Sequence, residues 1–431
     1  MMDTLLDEAW IKRLMGFDQL IVGFSGGLDS TVLLHALASY PALIEKLQAV
    51  HVHHGLSIYA TSWQRQCESF CAKHRIVFTT HHVVLASRAN LEEEARNARL
   101  RVFASMLGEK GCLLLAHHRD DQAETLLLQL CRGAGVDGLA GIPPHRRFAT
   151  GELARPLLHA SRDDLRAYAR RHVLTWVDDE SNEDLAFSRN YVRHHIMPLL
   201  RDRWPAVARA MGRCAMHCQQ AKSNLDDLAQ IDCPELALSC DRLSLHPLSH
   251  LTTARLGNVL RVWLTNHGVR AASTKRIDRL LHDVIFAGQD RAPSVQWGAF
   301  QVRRYRQTLY LLRPEQHPSL CKIDWLLFPQ PLVWDGARGY LNASPVNAGL
   351  HVPVGHAVDV RFRTGGETLV WKGKTRVLKK LFQSWGVPPW LREMVPLIYV
   401  DGKLAAVLDF CVSDPYYGAH GDRLYRIERS S

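Results

Sequence analysis

The first half of the sequence predicts an α/β fold with a doubly wound parallel sheet, and three observations support this fold class. Short apolar runs alternate with segments in which apolar residues recur at helical spacing. The apolar runs are almost uninterrupted, as in parallel strands that are buried on both faces. Polar and reactive side chains follow three of these runs directly. Because ligands of such sheets bind beyond the carboxyl ends of the strands, these side chains mark the expected site.

The predicted elements alternate between strand and helix. Predicted strands cover residues 20–24, 47–52, 76–85, 111–117 and 174–177. Predicted helices cover residues 30–39, 57–74, 90–109 and 120–131. Asn90, with Glu93 three residues later, is a capping box that opens the third helix. Three polar groups then lie at carboxyl ends of strands: residues 25–30, the histidines His51, His53 and His54, and residues 117–121.

The second half of the sequence predicts a different organisation, because the alternation of strand and helix ends near Pro205. A helical pattern follows, then a proline-punctuated stretch, then a segment with strand alternation and an Asp401-Gly402 hairpin signal. A chain of 431 residues is too long for one typical core. We therefore predict four segments: an α/β domain over 1–215, a mostly helical basic domain over 216–312, a linker over 313–345 and a small α+β domain over 346–431.

The chain carries a formal net charge of +10, and much of the basic excess lies in its middle. Residues 255–306 contain ten Lys and Arg against three Asp and Glu. Such a density of positive charge favours a polyanionic partner, most simply a nucleic acid. A solvated basic helix face would explain the charge equally well, so charge alone leaves both interpretations open.

The cysteines and the apolar segments argue against several classes of protein. The ten cysteines include no Cys-x-x-Cys pair, which argues against a zinc ribbon, an iron–sulfur site or a redox dithiol. Reduced thiols in the core of a cytoplasmic protein are the better interpretation. The start of the sequence lacks the features of a signal peptide, and no stretch is apolar enough to span a membrane.

Residues 25–30, called the 25–30 loop below, have the sequence Ser-Gly-Gly-Leu-Asp-Ser between a predicted strand and a predicted helix. Backbone N–H groups and the helix dipole meet at such a junction and bind anions, and Gly26 and Gly27 let the backbone approach a phosphate. Asp29 beside a phosphate requires a cation between them, so we expect a nucleotide with Mg²⁺. The absence of a following Lys excludes the phosphate loop of γ-phosphate chemistry. The alternative is an ordinary glycine-rich turn.

Asp121 and Glu124 lie three residues apart on the helix predicted after the fourth strand, so their side chains share one face. Two carboxylates at the mouth of a nucleotide site can hold a metal, bind an ammonium group or take a proton. The alternative is an acidic first turn that complements the helix dipole. The same segment contains three further polar residues, Asp120, His117 and His118, which is more than a helix cap requires.

These segments together resemble one family. The 25–30 loop resembles the pyrophosphate loop of the ATP pyrophosphatases, which cleave ATP between its α and β phosphates. Residues 117–125 are similar to the second signature of the tRNA(Ile)-lysidine synthases. Further segments agree with that family within residues 51–57, 132–142, 176–190 and 379–390. The resemblance implies an adenine nucleotide hydrolase-like, Rossmann-like catalytic domain over 1–215, followed by tRNA-binding domains.

The resemblance also implies a reaction. ATP adenylates the C2 carbonyl oxygen of the wobble cytidine in the CAU anticodon of an isoleucine tRNA, and pyrophosphate is released. The ε-amine of free lysine then attacks that carbon and expels AMP, which gives lysidine. The enzyme would be a ligase that forms a carbon–nitrogen bond in the cytoplasm, with ATP as a substrate and Mg²⁺ as its metal.

The resemblance assigns roles to residues of the catalytic domain. The implied ATP-binding residues are Ser25, Gly26, Gly27, Leu28, Asp29 and Ser30. Asp29 would also hold Mg²⁺. Asp121 and Glu124 would bind lysine, and Arg189 would stabilise the phosphate as AMP leaves. Asp29, Asp121, Glu124 and Arg189 are therefore the expected catalytic residues.

The later domains would bind the body of the tRNA. Lys379, Lys380 and Arg392 are the implied tRNA-binding residues. Trp385 and Trp390 would either stack on RNA or pack in a core, and the sequence favours neither.

Several alternatives remain open from the sequence. A tRNA thiolase of the same superfamily would need a cysteine pair near the site, and an amide-forming synthetase would need a glutaminase module with its cysteine; neither is found here. A non-catalytic RNA-binding protein on the same fold is the alternative from another class. The sequence leaves open a homodimer, the base that deprotonates lysine, and the roles of His53, His54, His117 and His118.

Overall fold

The computed structural model of the chain describes residues 5–55, 59–84, 91–238, 240–269, 274–288, 293–313, 322–333, 340–419 and 423–430. The chain divides into two compact units, Met1–Ile231 and Asp232–Ser431. Each unit has hydrophobic cores of its own. Among the described residues, no helix is long and apolar enough to cross a membrane.

The first unit is built on a six-stranded sheet. Its strands are β1 (Gln19–Gly23), β2 (Leu47–His53), β3 (Val77–His82), β4 (Gly111–Leu114), β5 (His145–Phe148) and β6 (Gly151–Ala154). They lie in the order β3-β2-β1-β4-β6-β5. Neighbouring strands are parallel except for β5 and β6, which form an antiparallel pair. The predicted doubly wound parallel sheet is confirmed.

Helices cover both faces of this sheet. They are α1 (Glu8–Met15), α2 (Leu28–Ala38), α3 (Pro41–Ile44), α4 (Ala60–His74), α5 (Leu91–Met106), α6 (Arg119–Cys131), α7 (Val136–Leu139), α8 (Arg162–Arg171), α9 (Ser188–Tyr191), α10 (Met197–Arg203) and α11 (Val207–Asp232). A 3₁₀ turn covers Glu180–Glu183, and a π turn covers Val192–Ile196. Leu20 of β1 packs in one core with α2, whereas Ile21 packs on the opposite face with Phe103 of α5. Both faces of β1 are therefore buried.

Residues 174–177 do not form the predicted fifth strand. The fifth parallel strand is β6, which the apolar pattern missed because its four residues include Glu152. The carboxylate of Glu152 forms an ion pair with Arg13 at 2.6 Å, so a charged residue interrupts what would otherwise be a short apolar run. The 174–177 segment instead contacts the 25–30 loop: the Val177 N–H donates to the Gly26 carbonyl oxygen at 2.9 Å.

The other predicted strands and helices of this unit are present, with small differences at their ends. The second predicted helix is described from Ala60, and its predicted start at Ser57 lies outside the described residues. The Asn90 capping box lies outside them as well.

The second unit begins with a helical part that also contains a sheet. The elements are a 3₁₀ turn (Pro234–Leu238), β7 (Arg242–Ser244), α12 (Thr253–Asn266), α13 (Thr274–Leu280), a π turn (Leu281–Ile285), β8 (Ser294–Trp297), β9 (Phe300–Tyr305) and β10 (Thr308–Leu312). The strands form an antiparallel sheet in the order β7-β10-β9-β8. Helical residues outnumber strand residues here, as expected for the mostly helical domain.

The end of the chain is rich in strands. They are β11 (Ile323–Asp324), β12 (Leu332–Val333), β13 (Tyr340–His351), β14 (Val358–Arg361), β15 (Thr368–Trp371), β16 (Lys374–Val377), β17 (Leu397–Val400), β18 (Lys403–Val407), β19 (Cys411–Val412), β20 (Tyr417–Gly418) and β21 (Leu424–Ser430). The helical elements are α14 (Leu378–Ser384), α15 (Pro389–Arg392) and a 3₁₀ turn at Asp414–Tyr416. The predicted hairpin is confirmed, since β17 and β18 pair across Asp401 (φ 47°) and Gly402 (φ 74°), both in the left-handed region.

The stretch 313–345, predicted as a linker with some strand content, contributes to the sheets of this last part. β11 pairs with β14, and β13, which begins at Tyr340, pairs with β21. The boundaries of the four predicted segments stay predictions.

Candidate active site

The candidate site lies at the carboxyl ends of β1 and β4, which are neighbours in the sheet. The 25–30 loop follows β1 and leads into α2, and residues 115–118 follow β4 and lead into α6. Because β1 and β4 are parallel and adjacent, the loop and the first turn of α6 are placed side by side. The 25–30 loop and the start of α6 therefore lie close together, as predicted.

The 25–30 loop is held by its own hydrogen bonds and by its surroundings. Gly26 has φ +84°, and a Cβ on it would lie 2.8 Å from Cys67 Sγ. The Thr31 hydroxyl donates to the Gly26 carbonyl oxygen at 3.2 Å, and the Ser30 hydroxyl donates to the Gly27 carbonyl oxygen at 3.0 Å. Gly27 is the N-cap of α2 and makes no side-chain cap. The loop is thus fixed in place, with the N–H groups of the first helical turn directed toward the site.

His118 connects the loop to α6. Its side chain is fully buried, and its Nε2 lies 3.5 Å from Asp29 Oδ2 and 3.5 Å from Asp121 Oδ2. Burial alone would lower the pKa of His118, but the carboxylates of Asp121, Asp29 and Asp120 outweigh burial and raise it. A buried imidazole with a raised pKa therefore lies between two of the predicted catalytic carboxylates.

Asp29 fits a role as a cation ligand. Its Oδ2 faces His118, and among the described residues its buried Oδ1 has no hydrogen-bond partner. The described residues contain no group of three or more His, Cys, Asp or Glu side chains able to hold a metal ion by themselves. This combination suits Mg²⁺, which proteins commonly bind through one or two carboxylates while phosphates and waters supply the remaining ligands.

Asp121 and Glu124 form what we call the ion cluster with Arg189 and Arg193. Arg189 donates from Nε to Glu124 Oε2 at 3.0 Å and from Nη2 to Asp121 Oδ1 at 2.8 Å. Arg193 donates to both oxygens of Glu124, from Nε at 2.7 Å and from Nη2 at 2.9 Å. The Nη2 of Arg193 also donates to Asp121 Oδ1 at 3.1 Å. The structure thus brings three of the expected catalytic residues together with Arg193, which was not among them.

Charge and burial set the protonation states within the ion cluster. Burial opposes ionisation of Asp121, but His118, Arg189 and His117 hold its pKa well below the usual range. Glu124 is only 2 % exposed. Burial likewise opposes charge on Arg189, and the carboxylates of Asp121 and Glu124 raise its pKa. The cluster consequently holds two guanidinium cations against two carboxylates.

Local structure explains how the arginines reach α6. Arg189 lies in α9 and Arg193 in the π turn that continues it, so both project from one side of a short helical segment. The signal for Arg193 was its position four residues after Arg189. No local pattern linked Arg193 to Asp121 and Glu124, because these partners lie far away in the sequence.

The histidines around the site have mostly structural contacts. His117 Nδ1 accepts from Nε of the buried Arg155 at 3.2 Å, and burial lowers the pKa of His117 to about 3, so its ring is neutral with the proton on Nε2. His51 donates from Nδ1 to the Phe24 carbonyl oxygen at 2.9 Å and so supports the start of the loop. Burial lowers the pKa of His54 to about 4. Arg155, like Arg193, was not predicted.

Comparison with known proteins identifies the family. A PP-loop domain model matches residues 4–200, a TilS substrate binding domain model matches 243–310, and a TilS substrate C-terminal domain model matches 358–428. The tRNA(Ile)-lysidine synthase of Legionella pneumophila (strain Lens) is 49% identical over 96% of this chain and 96% of its own. The chain belongs to the tRNA(Ile)-lysidine synthase family.

More distant relatives match over similar lengths. The tRNA(Ile)-lysidine synthase of Coxiella burnetii is 39% identical over 94% of this chain and 92% of its own. That of Photorhabdus laumondii is 37% identical over 98% and 97%, respectively. The resemblance stated from the motifs is therefore confirmed. Membership of the tRNA(Ile)-lysidine synthase family makes the chain an enzyme with an ATP-binding PP-loop domain.

A cavity of about 440 Å³ lies beside the last turns of α6 in this family member. Its lining is mostly apolar and consists of Leu127, Leu128, Cys131, Leu185, Ala186, Ser188, Tyr191, Val192 and Ile196. The helical spacing of apolar residues on α6 predicts a buried Leu130, but Leu130 is 60% exposed.

The residues expected to bind tRNA differ in their exposure. Lys379 and Lys380 are exposed on α14, beside the exposed Lys374 and Arg376 of β16. Arg392, in contrast, is only 8% exposed. It donates from Nε to the Val387 carbonyl oxygen at 2.9 Å and from Nη2 to the Tyr305 hydroxyl at 3.4 Å.

The two tryptophans considered for RNA stacking are engaged in aromatic packing. Trp385 stacks on Phe410, with ring centroids 5.0 Å apart and an angle of 18° between the planes. The guanidinium of Arg303 lies 5.1 Å from the ring centroid of Trp390. These contacts favour the core-packing interpretation for both side chains.

Proposed function

We propose that the protein is a ligase that attaches free lysine to C2 of the wobble cytidine in isoleucine tRNA with a CAU anticodon, through an adenylated cytidine, giving lysidine, AMP and pyrophosphate. The observation that carries this proposal is the position of His118 between Asp29 and Asp121. A phosphate-binding loop and a carboxylate pair suited to an amine are thereby joined in one site. The reaction needs these two functions side by side.

The 25–30 loop would bind the phosphates of ATP. The N-terminal N–H groups of α2 and the backbone around Gly26 and Gly27 supply donors for oxyanions. The buried and unpartnered Oδ1 of Asp29 supports its assignment as the Mg²⁺ ligand. When bound, Mg²⁺ would neutralise the charge of the leaving pyrophosphate.

Asp121 and Glu124 would bind the ammonium group of lysine. Both are buried and both lie on the same face of α6. Because the pKa of Asp121 is held low, Asp121 is suited to binding a cation and is a poor acceptor for its proton. Arg189 is fixed by both carboxylates and would present positive charge where the AMP phosphate leaves.

The tRNA would be bound by the second unit. The exposed cluster of Lys374, Arg376, Lys379 and Lys380 is suited to phosphate contacts. The reacting base belongs to an anticodon loop and is unpaired, so little energy is needed to turn it into the site. Arg392 is committed to buried contacts, and its contact with tRNA stays a prediction.

The alternatives are less well supported. A thiolase needs a reactive cysteine pair, whereas burial raises the pKa of both Cys67 and Cys71 to about 12, so their thiols stay protonated. A non-catalytic RNA-binding protein does not require a buried cluster of charges. Burying charged groups costs desolvation free energy, so such a cluster indicates a function.

One assay tests the proposal. The full chain is mixed with ATP, Mg²⁺, radiolabelled lysine and an isoleucine tRNA transcript with a CAU anticodon. We expect label in the tRNA and release of AMP and pyrophosphate in equal amounts. A transcript with cytidine replaced by uridine at the wobble position is the control and should stay unlabelled. Absence of lysine from the CAU transcript would overturn the proposal.

A further inference from the structure

The positive and negative charges within the ion cluster balance. Arg193 holds both oxygens of Glu124 in a two-point fork and also reaches Asp121 Oδ1, the same oxygen that Arg189 uses. The two guanidiniums balance the two carboxylates, and all four groups are largely buried. A lysine ammonium entering this arrangement would add a third cation to two anions in a site of low dielectric.

Lysine can therefore bind the carboxylates only if one guanidinium leaves. Without Arg193, the cluster of Asp121, Glu124 and Arg189 would carry one net negative charge, and an ammonium group would restore neutrality. The exchange of one cation for another keeps the buried charges paired throughout, which avoids the large penalty of an unpaired buried charge.

Arg193 is the better candidate of the two arginines for this exchange. Arg193 occupies both oxygens of Glu124 and also Asp121 Oδ1, so it covers more of the two carboxylates than Arg189 does, and the carboxylate of Asp29 in the 25–30 loop also attracts it. Arg193 is thus within electrostatic reach of the position where phosphates are proposed to bind. A guanidinium binds phosphate oxygens with the same two-point geometry that it uses on a carboxylate.

We propose that Arg193 is a removable counter-ion that occupies the ammonium position of lysine until the phosphates of a nucleotide draw it away. The proposal rests on the proposed function and adds an order to it: the nucleotide binds first, and lysine second. Arg193 would thereby act as a positioning residue that keeps lysine out of a site that holds no activated base. Arg189, which links Asp121 to Glu124, would stay in place.

The test is equilibrium dialysis of radiolabelled lysine against the full chain, with and without α,β-methylene-ATP and Mg²⁺. For the unaltered protein we expect lysine to bind about tenfold more tightly with the nucleotide, a factor typical of coupled sites. For Arg193→Met we expect tight lysine binding without nucleotide. Arg193→Lys keeps the charge and should keep the dependence on nucleotide. Arg201→Met is the matched control, because Arg201 pairs with Asp120 outside the ion cluster, and it should also keep the dependence.

The outcomes separate a counter-ion from a structural residue or a direct ligand. If Arg193 only supports the fold or contacts lysine itself, Arg193→Met weakens lysine binding under both conditions, and the proposal is wrong. Equal lysine affinity of the unaltered protein with and without nucleotide also overturns it, even if Arg193→Met does not fold. The proposed function is judged separately, by lysine incorporation into tRNA, so it can stand while the counter-ion proposal fails.

Discussion

The Nε2 atom of His118 and the Oδ2 atom of Asp29 lie 3.5 Å apart, although one residue ends a segment after β4 and the other lies in the loop after β1. The imidazole is fully buried and lies equally close to Asp121. The two carboxylates raise the pKa of His118, and their attraction for its ring ties the two segments together. His118 thereby fixes the spacing between the expected phosphate site and the ion cluster.

Asp29→Ala tests the assignment of the Mg²⁺ ligand. We expect pyrophosphate release to fall by about 10²- to 10³-fold, the loss typical when one preorganised group at a developing charge is removed. Pyrophosphate release under saturating tRNA and ATP is the measurement. Asp18→Ala, at an exposed position that pairs with Lys110 on the surface, is the control and should keep full activity. Full activity of Asp29→Ala would refute the metal role.

Gly26→Ala tests the shape of the 25–30 loop. Its φ of +84° is unfavourable for alanine, and the new Cβ would lie 2.8 Å from Cys67 Sγ. We expect at least a tenfold weaker affinity for ATP in a nucleotide-binding titration. The double variant Gly26→Ala/Cys67→Ala should recover part of the loss, because the steric conflict is removed and only the backbone strain remains.

Gly212→Ala is the control for this loop variant. Gly212 lies in α11, and a Cβ on it would meet open space. Alanine there should leave ATP binding unchanged. An unchanged ATP affinity in Gly26→Ala would show that the backbone of Gly26 does not approach the phosphates.

Glu124→Gln tests the energetic balance of the ion cluster. The substitution leaves two guanidiniums against the single carboxylate of Asp121 in a buried site, so we expect a loss of about 3 kcal/mol in the free energy of unfolding. The measurement is urea denaturation at pH 7. Glu45→Gln, at an exposed position, should change stability by less than about 0.5 kcal/mol. Equal stability of Glu124→Gln and the unaltered protein would mean that the guanidiniums find other partners.

Lys379→Ala/Lys380→Ala tests the exposed basic surface. Loss of two phosphate contacts should weaken tRNA binding and reduce the slope of log affinity against log salt by about 1.5. Binding titrations at several salt concentrations provide the measurement. Arg392→Met should behave differently: it lowers stability by removing a buried donor from the Val387 carbonyl, and it leaves the salt slope unchanged. The prediction fails if the salt slope of the double variant equals that of the unaltered protein.

His35→Gln tests a half-buried histidine away from the site. His35 Nδ1 lies 3.0 Å from the Tyr168 hydroxyl, and burial, with His172 and His74 nearby, lowers the pKa of His35 to about 4. The unfolded chain takes up this proton near pH 6.5, so it binds more protons than the fold between about pH 6.5 and 4. Stability should therefore fall as the pH is lowered through that window.

The His35→Gln variant removes the contribution of His35 to the pH dependence of stability. Between pH 6.5 and 4, the free energy of unfolding should change by about 2 kcal/mol less in His35→Gln than in the unaltered protein. This value starts from about 1.4 kcal/mol per unit of pKa shift and is reduced because solvent screens the half-buried ring. Urea denaturation across the pH range is the measurement. His159→Gln, at an exposed position, is the control and should keep the full dependence. A variant with the same pH dependence as the unaltered protein would contradict the prediction.

Local patterns predicted the parts of the site that depend on neighbours in the sequence. The 25–30 loop was evident from a strand, two glycines and a helix in succession. Asp121 and Glu124 followed from helical spacing, and the β17–β18 hairpin from Asp401-Gly402. In each case the residues that matter lie within a few positions of one another.

Contacts between residues that lie far apart in the sequence could not be predicted from local patterns. Arg189 and Arg193 lie 65 to 72 residues from the carboxylates that they pair with, so no spacing rule links them. Arg392 was expected to bind tRNA, yet its guanidinium is buried and donates to the Val387 carbonyl oxygen. Charge predicts exposure only on average, and buried partners decide the individual case.

The hydrogen bond from Val177 to Gly26 has a consequence for synthesis of the chain on the ribosome. The nascent chain can form β1, the 25–30 loop and α2 early, but the bond that ties this loop down waits for residues translated much later. The guanidiniums of Arg189 and Arg193 emerge later still. A nascent chain that has not reached them holds Asp121 and Glu124 without their cationic partners. The tied loop and the complete ion cluster are therefore available only near the end of the first unit, after its sheet has been translated.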